Sequence, residues 1–193
     1  AVALNTSNAV ISAYARNGST LSGTAIEIEA SDESDATAEL VAASISAGLA
    51  GASMAIGYAT NTLNTTTESY IADSTATATT GNVLIDADAT QDISATSRAV
   101  SVSIALAGVA GAGAEGRTTI NGDVKAYAND ATLNANLGDV LIDADSIHTA
   151  RAVTDATAIG VIAVSLLKAT AEVNGVTRAF ADGAMTINSD LLS

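Results

Sequence analysis

Apolar and polar residues alternate along most of this chain with a period of two. In Val83-Leu84-Ile85-Asp86-Ala87-Asp88-Ala89, an extended backbone puts Val83, Ile85, Ala87 and Ala89 on one side. Leu84, Asp86 and Asp88 fall on the other side. Ala99 to Leu106 alternates more loosely, as does Val41 through Met54. Helix competes for these Ala-rich stretches, because alanine is the best helix former. Frequent Ser, Thr and Val favour strands instead, as do few Glu/Lys pairs four apart and glycines at 48, 51, 57, 108, 111, 113 and 116. The pattern predicts an all-β protein.

A longer period overlies the short one. Gly81-Asn82-Val83-Leu84-Ile85-Asp86-Ala87-Asp88 returns as Gly138-Asp139-Val140-Leu141-Ile142-Asp143-Ala144-Asp145, 57 positions on, and Ile26-Glu27-Ile28-Glu29 is a weaker copy 57 positions earlier. An aromatic recurs ahead of each copy: Tyr14, Tyr70, Tyr127 and Phe180 are separated by 56, 57 and 53. The whole chain, 1–193, therefore reads as one repetitive segment of a longer protein, with units near 14–69, 70–126 and 127–179 and a partial unit at 180–193. Such periodicity calls for a repeat architecture. Dividing 57 by three gives coils of about 19 residues, each with three short strands (two longer coils would also fit), and predicts a parallel β-helix (β-solenoid). Each coil would rise by about 4.8 Å, so the expected shape is an elongated rod.

Composition agrees with thin β-packing. Hydrophobic residues make up 48% of the chain, yet there are one Phe, no Trp and four Tyr, so Ala, Val, Ile and Leu must fill the interior. No Pro interrupts a ladder, and no Cys is present for disulfides or thiolate sites. A formal charge of −14 argues against nucleic acid and anionic bilayers as partners, and no direct membrane insertion is expected. Too few aromatics are present for the girdles of a membrane β-barrel.

Candidate chemistry is sparse. The single histidine, His148, reads as a surface imidazole on a bend, without the partners a triad or metal site needs. Asp86/Asp88, Asp143/Asp145 and Glu27/Glu29 put two carboxylates on one side of a strand, about 7 Å apart. Glycoside hydrolysis uses such pairs, but their recurrence in every unit favours a solvated face with at most weak Ca²⁺ binding. Gly108 to Gly116 lacks the lysine of a phosphate loop. Asn5-Thr6-Ser7, Asn17-Gly18-Ser19 and Asn64-Thr65-Thr66 match the glycosylation acceptor pattern, which arises readily by chance in Ser/Thr-rich sequence. No catalytic, cofactor-binding or metal residues are assigned, and no enzyme activity or cofactor is expected.

Gly138 to Ser146, preceded by Ala126 to Leu133 and followed by Ala-rich alternation, resembles the repeats of large bacterial filamentous adhesins, the haemagglutinin-like and autotransporter-like surface proteins. That resemblance implies a β-helical rod at the bacterial cell surface or outside the cell, serving adhesion or biofilm formation. It also implies neighbouring repeats as end-to-end partners, with host-cell, matrix or polysaccharide surfaces as further ones. The alternative is a β-helical domain that binds or degrades polysaccharide. An enzyme of that kind would need a one-off cluster of acids with a basic residue, and Arg16, Arg98, Arg117, Arg151 and Arg178 are dispersed, though Arg98 and Arg151 sit in loosely comparable places.

Overall fold

The computed structural model describes residues 1–189, and the tail of the expected partial unit, 190–193, lies outside the described residues. Among the described residues ten strands form: β1 (Val2–Ala15), β2 (Thr20–Gly23), β3 (Ile26–Ala72), β4 (Thr75–Ala78), β5 (Val83–Asn129), β6 (Thr132–Ala135), β7 (Val140–Ile159), β8 (Ile162–Asn174), β9 (Thr177–Asp182) and β10 (Thr186–Asn188). The larger sheet runs β1-β3-β5-β7, with β8 and β9 also on β5; the smaller runs β10-β6-β4-β2. All pairings are parallel. Val2 lies beside Tyr58, Ile26 beside Val83, Val83 beside Val140 and Tyr127 beside Phe180.

This register corrects the expected coil count. Residues 57 apart are hydrogen-bonded neighbours, so a 57-residue unit makes one layer, not three coils of about 19. β3 and β5 each span 47 residues, far beyond an ordinary strand of about 5–6. They reach that length by running out, turning at the tip and running back. The outgoing half of β5 pairs with β7, and the returning half with β8 and β9. Ser69 Oγ donates to Ile28 O and Asn61 Nδ2 to Ala36 O, which fixes how the two halves of β3 face each other.

The molecule is consequently a short, broad blade. Four layers about 4.8 Å apart stand roughly 15 Å high, while Ile26 to Gly48 at about 3.3 Å per residue reaches roughly 70 Å. An elongated parallel β-helical rod or spacer is therefore not what this chain forms, and the filament, adhesion and biofilm reading tied to that shape is withdrawn. Nor do the repeats meet end to end as separate coils. They interleave as rungs of shared sheets joined through β5, so neighbouring repeats are layers of one unit rather than end-to-end partners.

Along the blade the interior narrows. At the broad end the two long walls and the small sheet enclose Ile71, Val83, Ile85, Val124, Leu133 and Val140, all fully buried. Leu63, Ile93 and Ile120 follow, then Ala38, Ala59 and Ala95, then Ala42, Ala55, Ala99, Ala112 and Ala114 near the tip. The walls touch closely there: a Cβ on Gly116 would lie 3.1 Å from Val153 O and 3.3 Å from Ala95 O. Large side chains are rare because a thin interior has no room for them.

One corner repeats in every layer. Asn17, Asp73, Asp130 and Gly183 occupy the third position after each aromatic, and all four have positive φ, from 48° to 76°. The left-handed conformation is tolerated best by Gly, Asn and Asp. Tyr14, Tyr70, Tyr127 and Phe180 stack just before it, with ring centroids 5.2, 4.8 and 5.0 Å apart and planes within 13°. Arg16 covers the free face of Tyr14 at 4.7 Å.

Candidate functional site

The returning wall presents its even-numbered positions outward in the first two layers and its odd-numbered ones in the third. On that face Asn8, Asn64, Asn121 and Asn174 form a column, because the register places Asn8 beside Asn64, Asn64 beside Asn121 and Asn121 beside Asn174. Their amides join head to tail. Asn64 Nδ2 donates to Asn8 Oδ1 at 2.7 Å, Asn121 Nδ2 to Asn64 Oδ1 at 2.7 Å, and Asn174 Nδ2 to Asn121 Oδ1 at 3.2 Å. Each bond uses one N–H of a two-donor amide and one lone pair of a two-acceptor oxygen. A second donor and a second acceptor site are left on each inner rung.

An open groove of about 540 Å³ follows this column, bordered also by Val10, Thr66, Asp123 and Val176. Ala9, Thr65, Gly122 and Gly175 stand behind it, and a Cβ on Gly122 would meet Gln91 Oε1 at 2.7 Å and His148 Cε1 at 3.0 Å. The absent side chain at Gly122 lets this wall lie close against Gln91 and His148 of the opposite one.

Behind the groove lies a buried polar cluster. Gln91 Nε2 donates to Asp32 Oδ2 at 2.6 Å and to Thr65 Oγ1 at 2.5 Å, while Ser34 Oγ donates to Asp32 Oδ1 at 2.5 Å. His148 joins this cluster from the fourth layer, beside Gln91. It points inward rather than lying on a surface bend, and its Nε2 has no partner. Burial pushes its pKa below the ordinary 6.5, partly offset by the Asp32 carboxylate.

The groove contains one carboxylate. Asp123 Oδ2 accepts from Lys125 Nζ at 3.0 Å and its Oδ1 from the Val176 N–H at 3.2 Å. The paired carboxylates stand elsewhere, on the outer face of the outgoing wall, where Glu29, Asp86 and Asp143 make one column and Asp88 and Asp145 part of another. Partial burial first, then the neighbouring Asp88, Asp143, Glu29 and Asp145 charges, raise the pKa of Asp86. Among the described residues no three Asp, Glu, His or Cys side chains are arranged to hold a metal ion. Arg98 and Arg151 occupy different columns, opposite Asp155 and Ser94 respectively, and do not converge on the acids.

The amide column was open to detection in the sequence, since Asn8, Asn64, Asn121 and Asn174 repeat the 56, 57 and 53 spacings of the aromatics. No protein-family model, curated protein or solved structure matches this chain, so the resemblance to filamentous adhesins has no support beyond its texture, and the single-layer repeat contradicts the rod it implied.

Proposed function

We propose that this chain is a polysaccharide-binding module that works outside the cell and performs no catalysis. The observation carrying this reading is the amide column along the floor of the groove. It offers a donor and an acceptor at each rung, repeated about every 4.8 Å. Extended glycans display hydroxyl pairs at a comparable rise, and a hydroxyl both donates and accepts. The amides are already ordered by their mutual bonds, so little side-chain entropy is lost on binding. A neutral glycan suits the site, because a net charge of −14 repels polyanions.

Hydrolysis is disfavoured by the chemistry of the groove. Two carboxylates are needed on opposite sides of the scissile bond, and Asp123 stands alone with both oxygens engaged. Affinity electrophoresis through gels containing neutral polysaccharides (xylan, mixed-linkage glucan, galactomannan) tests the proposal. Retardation by at least one is expected, with Asn121→Ala weakening it by roughly tenfold, the loss of two neutral hydrogen bonds. Migration unaffected by all of them, or an Asn121→Ala protein retarded like the parent, rejects this reading.

A further inference from the structure

The narrow end of the blade is built inside out. Segments 40–57, 99–114 and 156–167 contain no Asp, Glu, Lys, Arg or His, although they stack as the tips of three successive layers. Among the described residues, fifteen of the twenty-five exposed large hydrophobic side chains lie in these segments; Leu49 and Leu106 are 82% and 84% exposed. Small alanines and hydroxyls face inward instead. Ser53 and Ser101 Oγ atoms are 2.7 Å apart, Ser46 Oγ donates to Ser103 Oγ at 3.2 Å, and Ser103 Oγ donates to Gly51 O at 2.9 Å. Water favours the opposite arrangement, and an apolar patch this large is unusual on a soluble monomer.

From this geometry we infer that the blade tip docks into the surface of a neutral lipid bilayer, at the boundary between headgroups and acyl chains. Three observations select lipid over a protein partner. The apolar band covers both outer faces and the turn between them, so a partner must surround the tip; a second copy would cover one face. Among the described residues the charges sit towards the broad end, and two such acidic bodies repel each other. The interior holds alanines and mutually bonded hydroxyls, whose hydrogen bonds persist when lipid replaces water around the tip. The acidic balance that excludes anionic bilayers leaves zwitterionic ones available. Depth is limited by the charged side chains that border the tip, Glu39, Glu115 and Asp155 among them, which hydrocarbon does not accept. Docking therefore reaches about 5–10 Å, the depth of interfacial elements, which takes in Leu49, Leu106 and Val161.

The chain has no tryptophan, so one introduced residue reports cleanly. The experiment compares Leu106→Trp with Thr37→Trp, which lies on the charged half of the outgoing wall, in the presence of phosphatidylcholine vesicles. Flotation with the vesicles is expected. Leu106→Trp emission should shift to the blue and be quenched by bromine on the upper acyl chain, while Thr37→Trp should stay unchanged. Leu49→Ser/Leu106→Ser should float roughly tenfold less, with its circular dichroism preserved. No flotation, equal shifts at both positions, or a blue shift that rises with protein concentration in the absence of vesicles overturns the inference, the last by showing that a second copy covers the tip.

Discussion

Single residues matter here through their columns. Tyr127 is sandwiched by Tyr70 and Phe180, and each aromatic contact is worth about 0.5–1.5 kcal/mol beyond burial. Tyr127→Ala should therefore cost about 1–3 kcal/mol in urea unfolding, more than Tyr14→Ala, which breaks one stack. At the left-handed corner, Asp73→Val should destabilise by about 1–2 kcal/mol and Asp73→Gly by much less, as thermal denaturation would show. Two titrations have opposite signs. Asp86 has a raised pKa, so its charge opposes folding at neutral pH, and that penalty is relieved as pH falls through the raised value towards 3.8. Asp86→Asn should raise Tm at pH 7 by up to about 3 °C and give no gain near pH 3. His148 has a lowered pKa, so stability is lost as pH drops from 6.5 through the depressed value, and His148→Gln should remove that slope.

At the scale of strands, the packing of the two walls decides what is tolerated. Gly116 sits where the walls nearly touch, and Gly116→Val should cost about 1–3 kcal/mol by overpacking, measured as a lower denaturant midpoint with an unchanged slope. Strand character, the repeat length and the aromatic column are legible in sequence, because alternation runs along most of the chain and each ring is rare enough to mark its place. The number of turns per repeat is not. Periodicity reveals which residues are equivalent but not how often the chain bends between them, and the blade tip at Gly48–Ala50 carries no Pro, Asn or Asp to announce it. The amide column is legible only indirectly: Asn64 on its own reads as a glycosylation acceptor, and Asn8, Asn121 and Asn174 join it once the spacings of the aromatics are applied to it. His148 misleads because inward or outward direction follows strand parity, which a lone histidine does not disclose.

For the whole molecule, the inferred groove, amide column and apolar tip all depend on one arrangement: each 57-residue unit is a single layer, hydrogen-bonded directly to the next. The chain has no cysteine, so that arrangement can be tested by cross-linking. Thr37 and Ser94 are register partners whose hydroxyls lie 3.4 Å apart, within reach of a disulfide, whereas Thr37 and Ile56 stand on opposite outer faces of the blade. In coils of about 19 residues, Thr37 and Ile56 would be the stacked neighbours instead. Oxidative cross-linking of Thr37→Cys/Ser94→Cys and Thr37→Cys/Ile56→Cys, read as the mobility shift of the denatured monomer, separates the two. Closure of the first pair alone is the predicted result; closure of the second pair with the first remaining open would contradict the layered blade.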